Sequence, residues 1–166
     1  MSEPRWLDPT EMRAWRGVIA MNRLLFEQLG RDLAAESGLS MADYEVLVQL
    51  SEAPERRLRM TELAHYSLSS KSRLSHQIAR MEEVGWVRRE ACPSDRRGAF
   101  AVLTDAGFAT LAAAAPGHLA SVRRHLFDRL TADDVGRLAD ILGKVNLPLE
   151  EADRYHAGMP RATACS

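Results

Sequence analysis

The sequence predicts a mainly α-helical chain with one small β-hairpin, in which a short middle section lies between long helices at both ends. Two observations predict this class. Apolar residues recur at three- and four-residue steps near both ends, which is the spacing of one helix face. The stretch "WVRREACPSDRRGAFAVLT" instead has two short strand-like runs on either side of a turn rich in Pro, Ser, Asp and Gly.

The first helix is predicted from about residue 9 to residue 35. Asp8 can cap it, Pro9 suits its first position, and apolar residues follow at helical spacing as far as Leu33. Gly38 can end the segment. A helix of this length spans about 40 Å, which is long for one small domain.

Three shorter helices and the hairpin follow. Ser40 caps the second helix, with Asp43 in its first turn, and Thr61 caps a short third helix. Ser70 begins the fourth helix, "SKSRLSHQIARMEEVG", and Gly85 stops it. Strands "WVRREAC" and "AFAVLT" then flank the turn "PSDRRG".

Two further helices complete the chain. Thr104 caps one that runs to about Asp128, with a kink expected at Pro116. Thr131 caps the last helix, and an irregular tail is expected after Pro148.

This order of elements is a winged helix–turn–helix with a long helix before it and two helices after it. We therefore divide the chain into an N-terminal helix (1–36), a winged helix–turn–helix lobe (37–104), C-terminal helices (105–147) and the tail (148–166).

Composition restricts the class of protein. The 166 residues are 46% hydrophobic and 27% charged, and they contain neither a membrane-length apolar run nor an apolar signal-peptide core near the start. We expect a cytoplasmic protein without a membrane partner. The net charge of −1 hides an excess of ten basic over six acidic residues from Glu55 to Gly98, which suggests a local site for a polyanion.

The fourth helix has two chemically different faces. At 100° per residue, Leu74, Ile78 and Met81 form one apolar stripe. The opposite face is formed by Ser72, Arg73, Ser75, His76, Ala79 and Arg80. It offers hydrogen-bond donors without a carboxylate, as a helix reading a DNA groove requires, although an ordinary solvent-facing helix also has a polar face.

The hairpin carries adjacent arginines, Arg96 and Arg97, which turn chemistry alone does not require. In a winged helix the hairpin tip reaches the minor groove, whose narrow, negative floor suits arginine. Asp95 would hold one guanidinium in a fixed orientation. An exposed turn with a local ion pair is the alternative interpretation.

These residues resemble the DNA-binding lobe of the multiple-antibiotic-resistance regulator (MarR) family. The pattern Asp95-x-Arg97, then Leu103-Thr104 and Gly107, carries most of the resemblance, and it extends over roughly residues 8 to 146. The resemblance implies a homodimeric transcriptional regulator, usually a repressor that a small ligand releases from a pseudo-palindromic DNA operator. It implies no cofactor.

The resemblance also implies which residues contact DNA. The recognition helix would place its N-terminal and outward side chains in the major groove or on its phosphates: Ser70, Lys71, Ser72, Arg73, Ser75, His76 and Arg80. Arg97 would enter the minor groove beside Asp95, with Arg96 on a phosphate. The apolar stripes of the flanking helices independently favour a dimer, because the small lobe cannot cover them.

In this family, effectors bind where the dimerisation and DNA-binding lobes meet, often as aromatic or phenolic anions. Trp15, Tyr44 and His65 are the candidate ligand-binding residues, since aromatic walls with one hydrogen-bonding group suit such ligands. Each is also an ordinary packing residue. Ligand binding would change the spacing of the two recognition helices.

Other functional classes have less support. The sequence has no phosphate-binding glycine loop, nucleophile motif or metal-ligand spacing, so we predict neither an enzyme nor a metal site. His118 and His125, seven residues apart, are interpreted as surface histidines. Two alternatives stay open: a winged helix that docks another protein, and a thiol-responsive regulator that uses Cys92.

Overall fold

The computed structural model describes the backbone of residues 5–67, 70–92 and 95–157, with the side chains of these residues except 71, 95–97, 148 and 150–157. The helices are α1 (Pro9–Ser37), α2 (Met41–Glu52), α3 (Met60–Tyr66), α4 (Lys71–Glu83), α5 (Asp105–His125) and α6 (Ala132–Ala157). The strands are β1 (Arg57–Arg59), β2 (Val87–Cys92) and β3 (Asp95–Leu103). Residues up to His125 form one compact unit, and residues from Leu126 form a second.

The predicted helix ends are mostly confirmed. The Asp8 carboxylate accepts hydrogen bonds from the backbone N–H groups of Thr10 and Glu11, and the Glu11 carboxylate accepts one from the backbone N–H of Asp8. Ser70 caps α4 by accepting a hydrogen bond from the backbone N–H of Arg73. These contacts satisfy N–H groups that have no partner within the helix.

Two predicted boundaries are wrong. The third helix begins at Met60, one residue before the predicted cap Thr61, because the Glu62 carboxylate accepts from the backbone N–H of Arg59 at 3.0 Å. The expected irregular tail is helical at its start, since α6 continues through Pro148 to Ala157. A proline removes one backbone hydrogen bond, and the segment "LEEADRYHA" that follows it is rich in helix-forming residues.

The sheet has the antiparallel order β1-β3-β2, so the short segment before α3 adds a third strand to the predicted hairpin. Ala91 pairs with Ala99, but the next residue, Cys92, pairs with Asp95. The strand pairing therefore extends to Asp95, within the residues assigned to the turn "PSDRRG", and residues 96–98 lie in a bulge.

The core forms between the three helices of the lobe and the sheet. Leu74, Ile78 and Met81 are completely buried, which confirms the predicted inner stripe of α4. They pack with Leu47 and Leu63 among others in one continuous apolar cluster. The burial of this stripe fixes the opposite face of α4 outward.

The hairpin is fixed to the end of α4 by one threonine. The backbone N–H of Thr104 donates to the Trp86 carbonyl at 3.1 Å, and its hydroxyl donates to the Gly85 carbonyl at 2.6 Å. The same hydroxyl accepts from the backbone N–H of Gly107 at 3.0 Å and so caps α5. Thr104 thus sets the position of β3 relative to α4 and α5.

Candidate nucleic-acid interface

The outward face of α4 is polar and basic, as predicted. Ser72, Arg73, Ser75 and His76 are exposed there, and Ala79 is half-buried. Within the part of the chain that the structure describes, neither Arg73 nor His76 forms an ion pair. These side chains are therefore available to an anionic partner.

An open cleft of about 460 Å³ runs beside this face. It is lined by Ala42 of α2 and by Arg73, His76, Gln77 and Arg80 of α4. Ala42 is small, and the guanidinium groups of Arg73 and Arg80 are cationic, so this cleft would admit a phosphate group of a nucleic acid backbone.

Arg80 is less free than its sequence position suggests. Its Nη2 lies 2.7 Å from Oδ1 and 3.0 Å from Oδ2 of Asp43, in the first turn of α2. Nε2 of Gln77, one turn earlier on α4, donates to the same carboxylate at 3.1 Å. The sequence did not predict that Asp43 and Gln77 belong to this site. An acidic residue in the first turn of a helix is common and stabilises the helix by itself, so Asp43 gave no sign of a further role.

Arg89 of β2 also binds α4. Its Nη2 donates to the Ser75 carbonyl at 2.7 Å, and its Nε lies 3.2 Å from the Glu82 carboxylate. These two contacts of Arg89 fix β2, the first strand of the hairpin, to α4. It also explains why Glu82, at the far end of α4, does not oppose a polyanion as a free charge.

Much of the basic excess between residues 55 and 98 is thus paired within the fold. Arg56 contacts Asp105 and the ring of Phe108, while Arg88 pairs with Glu90. Among the described cations of this segment, Arg59 stacks on the ring of Phe100, and Arg73 of α4 forms no ion pair.

The remaining predicted contacts lie outside the described side chains. The backbone of Asp95, Arg96 and Arg97 belongs to β3, at the bulge of the hairpin, and that of Lys71 belongs to the first turn of α4. The positions of their side chains lie outside the described residues. Their roles therefore stay predictions.

The candidate ligand residues do not share one environment. Tyr44 is buried, and its ring centroid lies 4.5 Å from that of His118 on α5. Trp15 is 54% exposed on α1. His65 is half-buried on α3 and contacts the ring of Tyr66 edge-on.

The prediction that His118 and His125 are surface histidines is wrong. Burial lowers the pKa of His118 and raises that of Tyr44, and Nδ1 of His118 is buried without a hydrogen-bond partner in the described structure. His125 lies with its Nε2 2.9 Å from Oδ2 of Asp32. Sequence spacing failed here because it carries no information on contacts between distant helices.

Asp32 joins α1 to the end of α5. Its Oδ2 accepts from the Ser121 hydroxyl at 2.5 Å and from Arg124 at 3.0 Å, while Gln28 donates to Oδ1 at 2.7 Å. The hydrogen bond from Ser121, followed by that from His125, holds the pKa of Asp32 far below its usual range.

Three further observations concern thiol chemistry, metal binding and membrane-spanning helices. Cys92 is buried at the end of β2, which restricts the access of an oxidant to its thiol. Among the described residues, no group of three or more His, Cys, Asp or Glu could hold a metal ion. No described helix is both long and apolar enough to cross a membrane.

Comparison with known proteins identifies the family. A model of the MarR family matches residues 37–98. Transcriptional regulator HosA of Escherichia coli O111:H- is 37% identical over 78 residues, which are 47% of this chain and 56% of that protein. The chain thus spans little more than half the length of this relative.

Two solved structures match over most of their length. Sco3205, a MarR family transcriptional regulator from Streptomyces coelicolor in complex with DNA, is 49% identical, with a TM-score of 0.79 over 88% of this chain and 91% of that chain. AbsC, a MarR family transcriptional regulator from the same organism, is 51% identical, with a TM-score of 0.78 over 89% of this chain and 99% of that chain. The chain belongs to the MarR family of winged-helix transcriptional regulators.

Proposed function

We propose that this protein is a homodimeric repressor that binds a pseudo-palindromic DNA operator and leaves it when a small ligand binds. The observation that carries the DNA-binding part is the outward face of α4. It presents Arg73, His76 and several serine hydroxyls, without a carboxylate before Glu82. The complex of the relative Sco3205 with DNA supports the same partner.

On this proposal α4 enters the major groove. Arginine, histidine and serine donate hydrogen bonds to base edges or phosphates, and the small Ala79 lets the helix backbone approach. The hairpin follows the DNA backbone to the adjacent minor groove, where Arg97 enters and Arg96 contacts a phosphate. Lys71, at the N-terminus of α4, adds a phosphate contact together with the helix dipole.

The homodimer is supported by apolar surface on the long terminal helices. On α1, large apolar side chains are exposed at Trp15, Val18, Ile19, Met21, Leu24 and Phe26. On α6, exposed apolar side chains occur at Ile141, Leu142, Val145, Leu147 and Leu149. A stripe of this extent is covered in a stable protein, and a second copy of the chain covers it on both helices.

The ligand-release part is supported by the Tyr44–His118 contact. A tyrosine, a neutral imidazole and an unpartnered buried nitrogen together suit an aromatic ligand with a hydrogen-bonding group. Tyr44 is on α2 of the DNA-binding lobe and His118 is on α5, so a ligand that contacts these rings would act on the packing of α2 against α5. This contact favours Tyr44 over Trp15 and His65 as the ligand-binding residue.

Selection of bound sequences from a random pool of DNA duplexes, at near-physiological salt, tests the DNA-binding proposal. We expect enrichment of a pseudo-palindrome with half-sites about 10 base pairs apart, because a two-fold dimer places two recognition helices one helical turn apart. Strong binding without any enriched sequence would contradict a specific operator. Absence of DNA binding would favour the alternative in which this winged helix docks a protein.

A further inference from the structure

Asp43 of α2 binds two residues of the recognition helix α4. Its carboxylate accepts four hydrogen bonds: two from Nη2 of Arg80, one from Gln77, and one from the Ser40 hydroxyl at 2.7 Å. Its backbone N–H in turn donates to that hydroxyl at 3.1 Å. The carboxylate is therefore fixed in place by α2 before it binds anything on α4.

The two partners differ greatly in exposure. The Asp43 side chain is 9% exposed, whereas the Arg80 side chain is 60% exposed. The hydrogen bonds to Asp43 use Nη2 alone, so the rest of the guanidinium faces the cleft that Arg73 and His76 also line. Arg80 is thus held at one end and presented to an incoming ligand at the other.

We propose that Asp43 is a positioning residue for sequence-specific DNA recognition, acting through Arg80; this inference rests on the proposed function. An unpaired arginine loses rotamer freedom when it binds DNA, and the fixed carboxylate removes that freedom beforehand. Asp43 also offsets one positive charge on the DNA-facing surface. It therefore lowers affinity for DNA of any sequence while it raises discrimination for the operator.

The test compares Asp43→Asn with Glu45→Gln. Both variants remove one carboxylate from α2, but Glu45 is exposed and makes none of the contacts to α4. In Asp43→Asn, Arg80 is freed to reach a phosphate, so the slope of log K against log salt should become steeper by about 0.9. Affinity for random duplex should rise, and the ratio of operator to random binding should fall by about tenfold.

Glu45→Gln should change that ratio by less than about twofold, the size of an ordinary surface effect. A merely structural role of Asp43 predicts a different result, in which operator and random binding weaken together with the melting temperature. That result would overturn the proposal, as would an Asp43→Asn variant that behaves like Glu45→Gln.

A double-mutant cycle identifies the residue through which Asp43 acts. In an Arg80→Ala background, Asp43→Asn should no longer change the salt slope or the ratio of operator to random binding. If Asp43→Asn fails to fold, Arg80→Lys replaces it, because lysine keeps the charge on a flexible stem without the planar guanidinium. Arg80→Lys should lose discrimination while keeping affinity for random duplex, and unchanged discrimination would overturn the proposal.

The wild-type protein separates this inference from the proposed function. If the wild type selects no operator, the DNA-reading function itself is wrong. If the wild type selects an operator that Asp43→Asn discriminates equally well, only the role of Asp43 is wrong.

Discussion

Gly107 packs directly against the carbonyl oxygen of Trp86, leaving no space for a side chain between α5 and the start of β2. A Cβ at this position would also meet Cδ1 of Leu103 at 2.8 Å. This close approach lets the Gly107 N–H reach the Thr104 hydroxyl. It gives a physical reason for the pattern Leu103-Thr104 and Gly107, on which the family resemblance rested.

Gly107→Ala should lower the free energy of unfolding by about 1–3 kcal/mol, because backbone atoms on both sides must move to admit a methyl group. The control is Gly136→Ala in α6, where a Cβ would meet nothing within 4 Å. That change should raise stability by about 0.5–1 kcal/mol, since alanine favours a helix over glycine. Urea unfolding at one protein concentration checks both, and equal effects would contradict the steric argument.

The sequence predicted the positions of the six helices, the hairpin and the inner face of α4, because these depend on local spacing. Leu74, Ile78 and Met81 were placed inside by their angles alone and are completely buried. Spacing could not pair Arg80 with Asp43, because 37 residues separate them and several carboxylates were possible partners. The outward angle of Arg80 was right, but its availability depends on a tertiary contact.

The contact between α1 and α5 should depend on pH through the Asp32 cluster. This cluster consists of Asp32 with Gln28, Ser121, Arg124 and His125. Hydrogen bonds from Ser121 and then His125 lower the pKa of Asp32 in the folded state. Asp32 therefore stabilises the fold above its unfolded pKa of about 3.9, and this contribution is lost as the pH falls through the folded pKa. Asp32→Asn should lower the melting temperature at pH 7, and the difference from wild type should shrink below about pH 4.

Asp140→Asn, at an exposed position of α6, is the control for Asp32→Asn and should leave the melting temperature nearly unchanged at both pH values. Calorimetric melts at pH 7 and pH 3 make the comparison. A deficit of Asp32→Asn that is equally large at both pH values would show that the cluster does not depend on the ionised carboxylate.

His118 should make stability fall in mildly acidic solution. Burial lowers its pKa in the folded state, whereas the unfolded chain binds a proton near the ordinary histidine pKa of about 6.5. The contribution is complete above that pH and is lost as the pH falls toward the folded pKa. His118→Phe keeps a ring against Tyr44 without titrating, so its stability should change less between pH 7.5 and pH 5.5.

His76→Gln, which alters an exposed histidine, is the comparison for His118→Phe and should keep the wild-type pH dependence. Urea unfolding at the two pH values decides the matter. The same loss of stability in His118→Phe as in wild type would assign the acid sensitivity to other groups.

Arg97→Ala should weaken operator binding and reduce the salt slope by about 0.9, because one phosphate-region cation is lost while the dimer stays intact. His76→Ala should instead change the selected sequence more than the affinity for random duplex, because a base contact carries sequence information. Arg31→Ala is the control: it removes an exposed cation from α1 and should change neither the salt slope nor the selected sequence. Binding titrations at several salt concentrations measure all three, and no change in DNA binding for Arg97 and His76 variants would mean that the contact surface is misassigned.

Ile19→Glu should convert the dimer into monomers, because it places a charge within the exposed apolar stripe of α1. Ile19 is 48% exposed in the single chain, and burying an unpaired carboxylate at an interface costs far more than exposing it to water. Val84→Glu, at a comparably exposed apolar position at the end of α4, should leave the dimer intact. Light scattering over a range of concentrations distinguishes the variants, and an Ile19→Glu protein that stays dimeric would place the interface away from this face of α1.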